Sequence, residues 1–227
     1  DVDSTLINEE VIDLIAAKAG VLEQVSQITT AAMTGNLDFS ESLIKRVALL
    51  SGVSTTVLNE VLSEITLTNG AVDLIKTLLG KGDVVAVVSG GFTEVIAPLL
   101  ASLKIKDFKA NSLQIIDGRL TGKVQGPIID RRAKAEFLRE IAAIHQIPLS
   151  NTVAVGDGAN DIDMIQSAGV GIAFCAKPAL VEVADRVIKI RDLMRLSQGS
   201  VVELDRIAGE PLDLLVNNTV VAQGEVV

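Results

Sequence analysis

From residue 71 onward, short apolar segments alternate with amphipathic segments, and this alternation constrains the fold more than any other feature. Strands are predicted at 84–88, 152–155, 170–173 and 186–190, and helices at 71–79, 93–103, 131–145 and 161–167. Strands that lack a polar face belong to parallel sheets that helices cover on both sides. The sequence therefore predicts an α/β fold with a parallel sheet.

The residues before Asn69 follow a different pattern. Apolar residues recur with a period near 3.6 over 9–19, 21–33, 38–50 and 54–65, which predicts a run of helices. Later in the chain, Asp117-Gly118 between the apolar segments 113–116 and 119–123 is typical of a two-residue hairpin turn. We expect the segment of about 8–68 to form a helical cap inserted into the sheet domain.

Composition excludes several classes of protein. Hydrophobic residues make up 48% with no Trp or Tyr, so the core must be mainly aliphatic. A net charge of −9 disfavours a nucleic-acid partner. We expect no membrane span, because no run of about 18 uncharged apolar residues exists. A single cysteine, Cys175, and the absence of a signal peptide favour a cytoplasmic protein.

The segment Asp1-Val2-Asp3-Ser4-Thr5 is the first that suggests chemistry. In an extended segment, carboxylates at i and i+2 point the same way. One could attack phosphorus while the other protonates the leaving oxygen of a phosphate ester. An acidic loop without catalytic function would show the same pattern, so both interpretations stay open here.

Three further motifs follow in order. Ser89 and Gly90 come at the exit of an apolar strand, where a hydroxyl and backbone amides can hold phosphate oxygens. Lys134 near a helix start can neutralise phosphate charge, and Asp157 and Asp161 in a turn after a strand offer oxygen ligands to Mg²⁺. Taken singly, an ordinary strand exit, a surface lysine and a capped polar turn explain these residues too.

Together, the four motifs resemble in type and order the haloacid dehalogenase superfamily, over residues 1–193. The resemblance implies a Rossmann-like parallel sheet with a helical cap. It implies that Asp1 is the nucleophile and Asp3 the general acid and base. Mg²⁺ would be bound by Asp1, the Asp3 backbone carbonyl and Asp157, with Asp161 in support. Residues that would hold the phosphate or position the reacting groups are Ser89, Gly90, Lys134 and Asn160.

The cap segment resembles the phosphoserine phosphatase branch of that superfamily, in Glu10, the segment 33–43 and Arg46. This resemblance implies that Arg46 binds the substrate carboxylate and Glu10 its ammonium group, while Met33 and Phe39 close over the substrate. It implies Mg²⁺-dependent hydrolysis of O-phosphoserine to serine and phosphate through a phospho-aspartate. Without the resemblance, a surface ion pair and core packing would explain the same residues.

The chain departs from the family pattern at both ends. The family has an apolar strand directly before the first aspartate, and this chain begins at that aspartate. We expect about five apolar residues upstream of Asp1; the strand-like runs at 220–221 and 226–227 are the less favoured alternative. Residues 197–227 resemble the β-rich dimerisation domain of the flagellar motor switch and type III secretion ring family, with a hairpin at 213–216 and 219–223.

This organisation predicts a phosphatase domain at 1–193 and a partial switch-like tail at 194–227, joined near 193–198 as in a chimera. Two alternatives to a phosphoserine phosphatase stay open. One is a related phosphatase or phosphotransferase acting on another small phosphomonoester. The other is a non-catalytic assembly protein that associates through the tail. A homodimer is an open alternative to a monomer.

Overall fold

A computed structural model describes residues 1–33, 38–189, 211–216 and 219–225, without the side chains of Met33 and of the last two segments. The chain divides into two compact units, Asp1–Phe137 and Leu138–Val227, and each is described by itself. The predicted junction at 193–198, cap residues 34–37 and the last residue of the predicted strand 186–190 lie outside the described residues.

The helices of the first unit confirm the predicted helical cap segment, with small shifts at the boundaries. Asp38 is the N-cap of α3, since its carboxylate accepts a hydrogen bond from the Glu41 amide at 2.7 Å. The helices are α1 Val11–Ala19, α2 Leu22–Met33, α3 Phe39–Ala48, α4 Thr56–Glu64, α5 Ala71–Lys81 and α6 Thr93–Ser102.

The cap segment leaves and rejoins the rest of the unit at neighbouring points. Ile7 and Leu67 form an isolated antiparallel bridge, and the Thr68 amide donates to the Leu6 carbonyl at 2.9 Å. The Thr68 hydroxyl also donates to the Thr5 carbonyl at 2.7 Å. The start and end of the helical insertion are therefore tied to the loop that carries Asp1 and Asp3.

The sheet of the first unit has the order β1-β2-β3, formed by β1 Ala86–Phe92, β2 Asp107–Ile116 and β3 Arg119–Gln125. β1 pairs with β2 in parallel, and β2 and β3 form the predicted hairpin around Asp117-Gly118. The predicted end of β1 at residue 88 is wrong, since the strand continues through Gly90 and Gly91. Glycine is a poor strand former, which explains why the pattern ended too early.

An aliphatic core joins the loop of residues 1–7, the cap and the sheet of the first unit. Val2 and Ile7 of the loop are completely buried, as are Ile15 of α1 and Phe92 of β1. Burial of Val2 and Ile7 anchors the chain directly after Asp1 and on both sides of Asp3.

The second unit contains a parallel sheet with the order β4-β5-β6. The unit boundary lies within helix α7, which spans Arg131–Ile144. The remaining elements are β4 Val153–Gly156, α8 Ile162–Ser167, β5 Val170–Phe174, α9 Pro178–Val181, β6 Arg186–Ile188, β7 Pro211–Val216 and β8 Thr219–Glu225. Helix α9 had no counterpart in the sequence prediction. The parallel pairs β1–β2, β4–β5 and β5–β6 confirm the predicted α/β class.

Strands β7 and β8 pair antiparallel, with Val216 opposite Thr219, which confirms the predicted tail hairpin. None of the helices in the described part of the chain combines the length and the apolar character needed to cross a lipid bilayer.

Candidate active site

The first feature of the candidate site is a buried ion pair between Asp1 and Lys134. The amides of Thr5, Leu6 and Ile7 all donate to the Val2 carbonyl at 2.8–3.1 Å, which closes the loop tightly behind Asp1. Lys134 Nζ lies 2.8 Å from Asp1 Oδ1, and the two side chains are 0% and 4% exposed. Because lysine is almost never fully buried unless it is paired, the surface interpretation of Lys134 is wrong.

Asp3 is held between the start of α1 and the strand β1. Its Oδ1 accepts a hydrogen bond from the Val11 amide at 3.3 Å. A methyl group added to Gly91 would come within 3.2 Å of Asp3 Oδ2 and 3.1 Å of Ser89 Oγ. A side chain at this position would therefore press on both the carboxylate and the hydroxyl.

Ser89 and Gly90 are fixed by hydrogen bonds within the first unit. Ser89 is completely buried, and its hydroxyl oxygen accepts from the Gly91 amide at 2.8 Å. Asn111 of β2, also completely buried, donates to the Gly90 carbonyl at 2.8 Å and accepts from the Ile129 amide at 2.8 Å. Asn111 was missed in the sequence because it precedes the residue at which this strand was predicted to begin.

The cap places Phe39 directly against the end of β1. A methyl group on Gly90 would lie 3.0 Å from Phe39 Cζ, while Phe39 also packs against the aliphatic core. Phe39 therefore packs in the core and also contacts β1 at Gly90, and its predicted role in closing over the substrate remains a prediction. Met33 is the last residue of α2, and its side chain is outside the description.

Arg46 lies half-buried in a negatively charged neighbourhood. Burial lowers the pKa of the Arg46 guanidinium from its usual value. The charges that oppose this lowering belong, in order of decreasing strength, to Asp13, Glu10 and Asp3. Burial in turn raises the pKa of Asp13, and the charge of Arg46 opposes that shift. A single guanidinium among carboxylates suits a ligand that carries both an ammonium and a carboxylate group.

The remaining predicted residues lie in the turn after β4 in the second unit. Asp157 and Asp161 are 8% and 0% exposed, and carboxylate oxygens of the two lie within 4.8 Å of each other. Asp161 Oδ2 accepts from the Gly158 amide at 3.2 Å, and a side chain at Gly156 would overlap the Asp161 carboxylate. Two buried carboxylates at this separation are a donor set that fits a hard divalent cation.

Asn160 is the other predicted residue of that turn. It is half-buried, and a methyl group on Gly158 would collide with its side-chain oxygen. Both glycines of the turn therefore make room for polar side chains, which is what a compact oxygen-rich site requires.

Comparison with known proteins decides the family. Residues 1–166 match the model of the haloacid dehalogenase-like hydrolases. The chain belongs to this family. This match confirms the predicted resemblance, and the matched residues include all four motifs on which the prediction rested.

Named relatives of this hydrolase are phosphoserine phosphatases. The Lactococcus lactis protein is 51% identical over 194 residues, which cover 86% of this chain and 90% of that protein. The Streptomyces coelicolor protein is 53% identical over 190 residues, 84% of this chain and 46% of that protein. The hydrolase thus spans about half the length of the Streptomyces relative.

Solved structures agree with these relatives. A phospho-aspartyl intermediate analogue of phosphoserine phosphatase superposes with a TM-score of 0.79 at 48% identity, covering 86% of this chain and 94% of that one.

The last part of the chain matches a different family model. Residues 178–227 match the model of the C-terminal domain of FliN, the type III flagellar switch regulator of the C-ring. That match begins upstream of the predicted boundary at 194.

Proposed function

We propose that this hydrolase cleaves O-phosphoserine to serine and phosphate through a phospho-aspartate on Asp1. The observation that carries the proposal is the ion pair between Asp1 and the fully buried Lys134. A buried lysine neutralises a carboxylate in the resting protein. It can also stabilise the negative charge of a phosphoryl group that approaches that carboxylate.

In the first step, an Asp1 oxygen forms a bond to phosphorus as the bond from phosphorus to the serine oxygen breaks. Asp3 donates a proton to that leaving oxygen, so serine departs neutral at its hydroxyl. In the second step, Asp3 takes a proton from water, and the water oxygen displaces Asp1 from phosphorus. Inorganic phosphate leaves, and both aspartates return to their starting state.

The phosphoryl oxygens are held, in this proposal, by Ser89, the Gly90 amide, Lys134 and Asn160. The carboxylates of Asp1, Asp157 and Asp161 and the Asp3 carbonyl would bind Mg²⁺, which supplies charge neutralisation when bound. Arg46 binds the substrate carboxylate and Glu10 its ammonium group, while Phe39 and Met33 cover the substrate. The domain division at 1–193 and 194–227 belongs to the same proposal.

The proposal is tested by steady-state release of phosphate from phosphoserine with and without Mg²⁺. Asp1→Asn is expected to abolish turnover, because an amide is a poor nucleophile. Asp73→Asn, an exposed aspartate in the first turn of α5, is the matched control and should retain activity. Robust turnover by Asp1→Asn, or by the unchanged protein in excess chelator, would contradict the mechanism.

A second candidate function, association through the tail, is favoured by the match of residues 178–227 to a flagellar switch domain and by the β7–β8 hairpin. The mass of the chain in solution, measured by light scattering over a range of concentrations, tests it. A monomer at every concentration would contradict self-association.

A further inference from the structure

Hydrogen bonds in both directions tie the nucleophile loop to the start of α1. The Ser4 hydroxyl donates to Glu10 Oε1 at 2.9 Å, and the Val11 amide donates to Asp3 Oδ1 at 3.3 Å. The Ser4 amide also donates to the Glu9 carbonyl at 3.3 Å. The two consecutive loop residues Asp3 and Ser4 are therefore joined to consecutive residues at the helix start.

Ser4 keeps an uncommon backbone conformation at this joint. Its φ is 55°, in the left-handed region that a residue with a Cβ rarely adopts. Strain of this kind persists where the surrounding structure imposes it, and it clusters at functional sites. Glycine would adopt this backbone without strain but has no hydroxyl to donate to Glu10.

Glu10 is not used to cap its own helix. It occupies the N-cap position of α1, yet its side chain makes no capping hydrogen bond. Its described hydrogen bond is the one from Ser4, which engages Oε1. A long, flexible carboxylate held at one oxygen binds a cation with less loss of conformational entropy than an unrestrained one.

We propose that Ser4 is a positioning residue that holds the Glu10 carboxylate for the ammonium group of the substrate. This inference rests on the proposed function, in which Glu10 binds that group. The same joint fixes Asp3, so recognition of the substrate and proton transfer share one rigid turn. Ser4 itself touches neither the substrate nor the reacting atoms.

The test compares two variants on two substrates. Ser4→Ala keeps the backbone strain and Ser4→Gly relieves it, while both remove the hydroxyl. The substrates are phosphoserine and 3-hydroxypropionate phosphate, which is phosphoserine without its ammonium group. Since hydrogen bonds to charged groups are among the stronger ones, both variants should raise KM for phosphoserine about threefold to tenfold. Neither variant should change KM for the second substrate, and kcat should stay within about twofold.

Two further measurements separate positioning from structure. Ser4→Thr keeps a hydroxyl and should restore KM for phosphoserine, even if the branched side chain lowers stability. In a Glu10→Gln background, Ser4→Ala should have no additional effect. Calorimetric titration of phosphoserine into Asp1→Asn protein, with and without Ser4→Ala, measures the same loss as a binding constant without turnover.

The outcomes distinguish this inference from the function on which it rests. Equal rises in KM for both substrates, or a normal KM in Ser4→Gly, would overturn the role of Ser4 while leaving the phosphatase proposal intact. If the unchanged protein does not hydrolyse phosphoserine and the Asp1→Asn variant does not bind it, the proposed function fails, and the role of Ser4 fails with it.

Discussion

The two acidic pairs of this hydrolase, Asp1 with Asp3 and Asp157 with Asp161, are built in opposite ways. Asp1 and Asp3 are separated by the buried Val2 and have different partners, the Lys134 ammonium for Asp1 and the Val11 amide for Asp3. The Asp157 and Asp161 carboxylates are gathered in one turn, where the glycine at 156 leaves room for Asp161.

This difference shows how one residue type can be given two kinds of task. Different partners place the two carboxylates in different surroundings, a charged one for Asp1 and a neutral amide for Asp3, as a nucleophile and a general acid require. Two carboxylates brought close together repel each other, and a divalent cation relieves that repulsion. In the proposed function, the first pair carries the reaction and also contributes to the cation site, whereas the second pair serves the cation alone.

The largest expected effect comes from breaking the Asp1–Lys134 pair. Lys134→Met should abolish activity and lower the free energy of unfolding by about 3–5 kcal/mol, because it leaves a buried carboxylate without its cation. Urea unfolding measures the loss of stability, with Lys76→Met as control, because Lys76 is an exposed lysine of α5. The double variant Asp1→Asn/Lys134→Met should recover part of the stability. If it is no more stable than Lys134→Met, the uncompensated charge is not the cause.

Crowding the second pair should have the next largest effect. Gly156→Ala places a methyl group on the Asp161 carboxylate and should cost about 1–3 kcal/mol of stability, as overpacking does. Gly91→Ala, whose methyl group would lie 3.1 Å from Ser89 Oγ, should cost less stability but still lower kcat.

The control for both glycine variants is Gly80→Ala in α5, where the added methyl group meets no described atom within 4 Å. It should raise stability by at most about 0.5–1 kcal/mol, the gain expected in a helix interior, because Gly80 is the penultimate residue of α5. The three unfolding curves measured side by side test the geometry, and equal behaviour of Gly156→Ala and Gly80→Ala would contradict it.

Replacing Arg46 tests whether substrate recognition can be changed without changing the chemistry of Asp1 and Asp3. Arg46→Ala should raise KM for phosphoserine at least about tenfold, given the strength of charge-assisted hydrogen bonds. Phosphoethanolamine, which lacks the carboxylate, should be affected less. Initial rates on both substrates decide this, with Lys45→Ala, an exposed neighbour paired with Glu41, as control. Equal losses on the two substrates would mean that Arg46 serves the chemistry.

The smallest expected effect concerns Glu94, a carboxylate outside both pairs. Burial raises its pKa above the usual 4.5, against hydrogen bonds from its own amide and from Leu113. Because the folded protein holds this proton more tightly than the unfolded chain, the stabilisation is complete below pH 4.5 and is lost as pH rises through the raised pKa. Relative to Glu94→Gln, the unchanged protein should gain stability as pH falls from 7.

Urea midpoints measured between pH 7 and pH 4 show that gain directly, with exposed Glu23→Gln as the control for loss of a surface charge. A difference between the unchanged protein and Glu94→Gln that does not vary with pH would contradict the burial argument.

The sequence predicted the elements and the family well, because apolar periodicity and ordered motifs depend on neighbouring residues. It could not reveal interactions between residues distant in the chain. Lys134 on its own favoured a surface position, and only the fold shows that it is buried against Asp1. Asn111 and Asp13 carry no local signal at all, since their importance comes from Gly90 and Arg46 respectively.

Two predictions about the ends of the chain remain predictions. In the described part of the first unit, β1 pairs only with β2, which is compatible with the expected strand beside it but does not test it. The tail hairpin is confirmed, whereas the predicted join at 193–198 lies outside the described residues. Local pattern predicts a hairpin reliably, but it does not predict what the hairpin packs against.

The most direct test of the central claim is to locate the phosphoryl group on the protein. Phosphoserine is mixed with the protein and Mg²⁺, the reaction is stopped with acid within the first turnover, and the peptides are analysed by mass spectrometry. We expect one phosphoryl group on the peptide that contains Asp1, and none in the Asp1→Asn variant. A phosphoryl group on any other residue, or turnover with no labelled peptide at any time point, would contradict it.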